Sequence, residues 1–355
     1  MQTEHNTNQP RGDHGLAYLL RYENIAWYDG DSVLMTDRRK YPMEKEKVRC
    51  ESTDAVARAI ADMVTQSVGP YFAALMAMPL AVKEARERRE PIAEYCERQA
   101  KVLSTARPTT TRRMQRLTTA SLEVIREALA AGEDPEKAAF DFAFDYYERR
   151  YRQIDDMGRY LVEQFPDKAT VLTQCFAETI VGTMLRHIRE AGKEASFICP
   201  ETRPFWQGAR LTASVIADMD FPVRVITDNM PAWIMQREGV DLFTCAADVI
   251  TRDGHVINKV GTLQIALAAR RFGIPFYCTG TPNPDHASAD SVVIEERPEE
   301  QVTDVFGKRI VEEGVRAYYP AFDATPPDLV TGIVTPIGVY APDDLERYFA
   351  DSNEK

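Results

Sequence analysis

The sequence predicts an α/β protein: a Rossmann-like, mainly parallel sheet domain preceded by a mostly helical N-terminal domain with a small β hairpin. Three observations predict it. Up to about Gln164 the chain is highly charged and reads in helical periods, and beyond it short β-branched runs alternate with helical stretches. The 355 residues exceed one small module, so two domains are expected, over 1–160 and 161–355. Hydrophobic residues make up 44% of the chain, enough for real cores, which excludes bulk disorder.

Each element follows from local signals. The N-terminal MQTEHNTNQPRGDHG is polar, carries both signs of charge and lacks the basic-then-apolar pattern of a secretory leader, so it reads as a frayed tail. Ala17–Tyr22 and Ala26–Met35 flank the turn-like Tyr28-Asp29-Gly30-Asp31, which predicts the hairpin. Thr53-Asp54 caps a helix running to Met63. From Met63 to Val82 no residue is charged, nearly a membrane-spanning length, but Thr65, Gln66, Ser67, Gly69, Pro70 and Pro79 interrupt it. A loop and a buried helix fit better, with Gly69-Pro70 as the helix start and Pro79 as a kink or end. Arg112–Ala131 spaces Leu117, Ile125 and Leu129 helically and closes on Gly132. Asp134-Pro135 opens a helix to about Gln164, whose stripe of Phe140, Phe144, Tyr147 and Tyr151 reads as helix packing.

The second zone offers strands at Thr170–Thr173, Ser196–Cys199, Arg224–Ile226, Leu242–Cys245, Pro275–Cys278, Val292–Ile294 and Val330–Val334. Helical stretches Thr179–Ala191, Gln207–Met219, Pro231–Glu238 and Gly261–Phe272 separate several of them, which implies a parallel sheet covered on both faces. Ligands in such folds sit at the carboxyl ends of strands. No GxGxxG follows any strand and no GxxxxGK[ST] occurs, which argues against a nicotinamide-dependent oxidoreductase and a phosphate-loop enzyme.

Composition removes further classes. A net charge of −12 works against a nucleic-acid backbone as partner. Six cysteines without a CxxC pair fit neither a disulfide scaffold nor a zinc module, and point to reduced thiols in a cytoplasm. His187 lies inside a helix, and His255 and His286 sit in loops without matching ligands, so no metal site and no cofactor is expected. No membrane partner is expected either.

A few strand-end residues have the right chemistry. Cys175 follows the strand Val171-Leu172-Thr173, where the N-terminus of the next helix would lower a thiol's pKa; a small buried apolar role is the alternative. Asp248 follows Leu242–Cys245, as a functional carboxylate or a turn aspartate. Pro200–Thr212 gathers Arg203, Gln207 and Arg210 around Gly208 at a strand-to-helix junction, which suits an anion site or a solvated helix start equally. Arg107 before one helix and Asn258-Lys259 before another repeat that pattern.

In order, these segments resemble the methylthioribose-1-phosphate isomerase family. That family is related to the ribose-1,5-bisphosphate isomerases and shares its fold with the alpha, beta and delta regulatory subunits of the translation-initiation guanine-nucleotide exchange factor. The stretches that carry the resemblance are Thr105-Ala106-Arg107-Pro108-Thr109, Leu172-Thr173-Gln174-Cys175, Glu201-Thr202-Arg203-Pro204, Gln207-Gly208-Ala209-Arg210, Ala247-Asp248, Asn258-Lys259-Val260-Gly261-Thr262 and Pro320-Ala321-Phe322-Asp323. The resemblance implies an acid–base pair at Cys175 and Asp248, and sugar-phosphate contacts from Arg107, Gln207, Asn258 and Lys259. It implies a cofactor-independent aldose–ketose isomerase of a pentose 1-phosphate, a small phosphorylated sugar as partner, and a homodimer. A non-catalytic sugar-phosphate or nucleotide sensor of the exchange-factor type is the alternative, which generally lacks the Cys–Asp pair.

Three departures bear on the substrate. The isomerases usually read Thr-His-Cys-Asn where this chain has Thr173-Gln174-Cys175-Phe176, and Gly-Ala-Asp-Arg where it has Ala246-Ala247-Asp248-Val249. The first-zone loop that reads Val-Arg-Gly-Ala-Pro in methylthioribose-1-phosphate isomerases corresponds to Val64-Thr65-Gln66-Ser67-Val68-Gly69, which has no arginine. A different 5-substituted or 5-deoxy pentose 1-phosphate is therefore expected.

Overall fold

A computed structural model describes residues 10–107 and 111–352. Chain contacts divide it into two units, Met1–Arg152 and Gln153–Lys355, so the division falls inside one long helix.

The first unit begins differently from the expectation. Residues 10–15 are anchored: Asp13 is buried and accepts from the Tyr22 amide at 2.9 Å, while Arg11 pairs with Asp13 and Glu23. That carboxylate cap favours a helical start, so Ala17–Tyr22 forms no strand. A 3₁₀ turn (Tyr18–Leu20) and the short helix α1 (Tyr22–Ile25) stand there. The hairpin turn is where the sequence put it, between β1 (Trp27–Tyr28) and β2 (Val33–Thr36), and β3 (Lys47–Cys50) adds a third antiparallel strand. Helices α2 (Thr53–Ala61), α3 (Gly69–Arg88), α4 (Ile92–Ser104), α5 (Thr111–Ala131) and the long α6 (Pro135–Val162) follow.

Pro79 neither ends nor divides α3, which runs on to a left-handed C-cap at Arg89. Proline removes one backbone hydrogen bond, but α3 is buried from Phe72 to Val82 and packs against α2, α4 and α5, which outweighs that loss. The aromatic stripe of α6 packs as read: Phe72 stacks on Tyr147 at 3.7 Å, and Tyr22 meets Tyr147 and Tyr151 at 4.8 and 4.7 Å. Among the described residues no helix is long and apolar enough to cross a membrane.

The second unit is built on a seven-stranded sheet. Its strands are β4 (Lys168–Thr173), β5 (Glu194–Pro200), β6 (Val223–Ile226), β7 (Leu242–Ala246), β10 (Phe276–Thr279), β14 (Gly332–Thr335) and β15 (Gly338–Tyr340). Their spatial order is β15-β14-β10-β7-β4-β5-β6, and every pairing is parallel except β14 with β15. The chain starts at β4, builds outward through β5 to β6, then returns to the other side of β4 with β7. The topological switch point therefore lies between β4 and β7.

The sheet is held by its apolar side chains. Leu172, Ile198, Phe243, Phe276 and Ile333 are all but fully buried, and Phe243 stacks on Phe276 at 4.3 Å. Each such side chain contributes roughly 1.5–3 kcal/mol by leaving water. Helices α7 (Thr179–Glu190), α8 (Ala213–Asp218), α9 (Pro231–Arg237), α10 (Thr262–Phe272), α11 (Glu300–Thr303) and α12 (Leu345–Asp351) complete the unit.

Smaller sheets escaped the sequence reading. β8 (Val249–Ile250), β9 (Val256–Lys259) and β13 (Phe322–Thr325) form an antiparallel trio, and β11 (Asp304–Val305) pairs with β12 (Lys308–Arg309). Conversely, Val292–Ile294 is no strand. Val293 is 93% exposed, so its β-branched run has no face to bury, and only an isolated bridge from Glu296 to Pro320 follows it.

Candidate functional site at the strand ends

Cys175 lies two residues past β4 with φ of +60°, and Glu178 in the same loop is also left-handed. Thr202 and Trp206, past β5, are left-handed as well. Four non-glycine residues thus take positive φ within two adjacent strand-end loops, conformations that the surrounding structure must hold in place. The loops are tied together. The Cys175 amide donates to Thr202 Oγ1 at 3.2 Å, and the Thr212 hydroxyl donates to the Cys175 carbonyl. Thr202 and Arg203 amides each donate to one oxygen of Asp228 at 2.7 Å, which fixes the β5 loop from the end of β6. Gly208 allows that loop its approach. A Cβ there would stand 1.8 Å from the Pro200 carbonyl oxygen. The residues after it, Gly208–Thr212, wind as a π turn before α8.

The predicted residues take distinct positions. Gln207 is 6% exposed, and its Oε1 is buried with no hydrogen-bond partner among the described residues, an acceptor left for something else. Asn258 and Lys259 close β9 and are equally buried. The Asn258 amide donates to Thr262 Oγ1 at 3.0 Å, and Lys259 Nζ donates to the Tyr319 hydroxyl at 3.4 Å and lies 4.7 Å from the Phe322 ring centre. Asp248 lies two residues past β7 and is exposed.

Charges link these groups. Burial pushes the Cys175 thiol up to about 11, Asp248 and Asp228 raise it further, and Lys259 pulls it back. This reverses the expected lowering by the next helix. α7 starts at Thr179, four residues on, while Cys175 stands over a small, mainly apolar cavity that also touches Ile180, Val181, Met184 and Cys245. The amine at the end of β9 and the carboxylate past β7 thus both reach the thiol past β4.

Arg107 belongs to the first unit, three residues past α4, and is partly buried; its carbonyl accepts from the Thr111 hydroxyl at 3.1 Å. Pro108 and Thr109 of its motif lie outside the described residues. The first-unit loop Val64–Gly69, which has no arginine of its own, receives one from elsewhere. Arg38, 1% exposed, donates from Nη1 to the Gln66 carbonyl at 2.6 Å.

Several neighbours were missed. Asp323 on β13 accepts from the Gly261 amide at 2.7 Å and from the Leu263 amide at 3.2 Å, capping α10. Burial pushes its carboxyl up to about 6, against the opposing pull of those amides and Lys259. Tyr319, 4% exposed, is pushed up to about 12 by burial, with Arg297 opposing and Cys175 adding. An open cleft in the same unit is lined by Arg203, Asp228, Gly261, Gln264 and Asp323. Gln174, in place of the family's histidine, bridges β4 and the turn after β9 by donating to the Val260 carbonyl at 3.3 Å. His187 sits between Asp155 and Glu190, at 2.8 and 2.9 Å. Among the described residues no group of three or more His, Cys, Asp or Glu could hold a metal ion.

A doubly wound sheet with a thiol and a carboxylate leaving adjacent strands at its switch point, and a buried amine whose charge reaches that thiol, defines an α/β protein with polar groups collected at its strand ends. The chain belongs to the initiation factor 2 subunit family, whose model matches residues 70–342. It is 36% identical to a methylthioribose-1-phosphate isomerase of Thermotoga neapolitana, over 91% of this chain and 96% of that one. It is 35% identical to the enzyme of that name from Heliobacterium modesticaldum, over 94% and 100%. Among solved structures it is similar to 5-methylthioribose 1-phosphate isomerase from Pyrococcus horikoshii OT3, with a TM-score of 0.78, 28% identity and coverage of 94% and 99%. It is also similar to the delta subunit of translation initiation factor eIF-2B from A. fulgidus, at 0.77, 29%, and 91% and 97%. The curated relatives put the chain in the isomerase class.

Proposed function

We propose that the protein is a cofactor-independent aldose–ketose isomerase that converts a 5-substituted or 5-deoxy ribose 1-phosphate, methylthioribose 1-phosphate or an analogue, to the ribulose 1-phosphate. The observation that carries this reading is the convergence of Cys175, Asp248 and Lys259 at the carboxyl ends of β4, β7 and β9, in a chain whose curated relatives bear that enzyme's name.

The chemistry suits these groups. Phosphate on the anomeric oxygen prevents a ribose 1-phosphate from opening to a free aldehyde. Opening needs a proton on the ring oxygen as the C1–O bond breaks. The hydrogen on C2 then passes to C1, the C2 hydroxyl loses its proton, and a ketone forms at C2. The proton gained by the ring oxygen and the proton lost from the C2 hydroxyl balance. A thiol pushed up to about 11 is protonated at neutral pH and so has a proton to give. Lys259 would stabilise the thiolate that results. Asp248, exposed, would take the hydroxyl proton. The apolar floor beneath Cys175 disfavours a charged enediolate and so favours a direct hydride shift. Arg107, Gln207, Asn258 and Lys259 are assigned to the sugar phosphate, and the unpartnered Gln207 Oε1 suits a sugar hydroxyl.

Assembly is proposed as a homodimer through the second unit. Exposed Val225, Met230 and Trp233 along β6 and into α9 are consistent with a covered surface.

A panel of ribose 1-phosphates differing at C5, including methylthioribose 1-phosphate, tests the substrate. Carbon NMR is expected to show a new ketone carbonyl for at least one 5-substituted or 5-deoxy member. Turnover confined to unsubstituted ribose 1-phosphate, or turnover of no member of the panel, would overturn the substrate reading.

A further inference from the structure

The first unit holds two arginines that the chemistry above does not use. Arg113 lies in the first turn of α5 and Arg150 on α6. The Arg113 guanidinium lies over the Tyr71 ring, 4.6 Å from its centre, and donates from Nη2 to the Tyr146 hydroxyl at 3.2 Å. Tyr146 precedes Arg150 by one helical turn, so both face the same side of α6.

The Arg150 Nε is buried and has no hydrogen-bond partner among the described residues. Among those residues, neither Arg113 nor Arg150 forms an ion pair with a carboxylate. Burial and the charge of Arg113 bring Arg150 down to about 10, and only the two tyrosines oppose that fall. Two guanidinium groups held together without an anion carry a repulsion that packing alone does not require. A guanidinium with a buried nitrogen, as in Arg150, is ordinarily matched by a carboxylate. Arg113 is exposed and Arg150 partly buried, so the group has an open mouth and a deeper cation.

We propose that Arg113 and Arg150, with the hydroxyls of Tyr71 and Tyr146, form a binding site for a phosphoryl dianion in the first unit. Two planar donor forks match phosphoryl oxygens in number and direction, and two positive charges suit a dianion better than a single carboxylate. The site does not depend on the isomerase reading, because it is defined by binding and not by turnover.

Calorimetric titration of the full chain with inorganic phosphate and with methyl phosphate tests it. Wild-type protein is expected to saturate below about 10 mM, and Arg150→Met and Arg113→Met each to weaken one bound equivalent by about tenfold or more. Arg149→Met, at an exposed position of the same helix, is expected to bind as wild type does. Equal binding of both probes assigns the site to the phosphoryl end of a metabolite, and binding of inorganic phosphate alone assigns it to the free ion; both support the site. Arg113 is exposed, so its variant decides the matter if Arg150→Met does not fold. Unchanged affinity and stoichiometry in folded variants, or no phosphate uptake by wild type, would overturn the proposal.

Discussion

Cys175 shows how a residue's position can be legible while its chemistry is not. A cysteine just past a β-branched run in an alternating pattern is at a ligand-binding strand end, and it is found there. Its acidity was misread, because a nearby helix N-terminus is visible in sequence and an apolar floor assembled from α7 and β7 is not. The raised thiol pKa makes a direct prediction. Alkylation of Cys175 by iodoacetamide, followed by peptide mass spectrometry, should accelerate about tenfold per pH unit from pH 7 to about 10 without levelling. Levelling above about pH 9 would mean an ordinary thiol. Gln207 and Lys259 were legible for the same strand-end reason. Asp323 and Tyr319 were not, since what brings Asp323 to Gly261 is the register of β13 against β9, a tertiary pairing of two short strands.

At the scale of elements, strong local signals survived and weak ones yielded to context. The Asp134-Pro135 start opened α6, and Thr179 opened α7 where the pattern put them. Val292–Ile294 had β-branched residues but no surface to cover, and Pro79 stayed inside a helix because burial on every side outweighed one lost bond. The cap of α10 provides a pH test. The folded Asp323 carboxyl, raised to about 6, holds its proton above the unfolded value of about 3.9. Between those values the native state binds more protons than the unfolded one, so this group's contribution to stability falls as pH rises. Asp323→Asn removes that titration. Urea unfolding from pH 4 to 6 should therefore show the variant gaining on wild type with rising pH, and levelling above about 6. A difference that stays constant through the window would show that Asp323 does not titrate there.

For the whole molecule, the alternation of strands and helices after Gln164 was enough to predict the sheet, while its strand order required the structure. That order decides which strand ends meet. The return of the chain from β6 to β7 sets β7 beside β4, so that Cys175 and Asp248, distant in sequence, leave the sheet at one switch point. Solved structures of an isomerase and of an initiation-factor subunit are both similar to this chain, so the sheet alone does not separate the two readings. The most direct measurement is turnover of methylthioribose 1-phosphate, or of the best 5-substituted analogue, by wild type, Cys175→Ser and Asp248→Asn, each confirmed folded by circular dichroism. Ketose formation by wild type, reduced by at least about a hundredfold in both variants, is the predicted result. Full activity in both variants, or no turnover of any ribose 1-phosphate by folded wild-type protein, would contradict it.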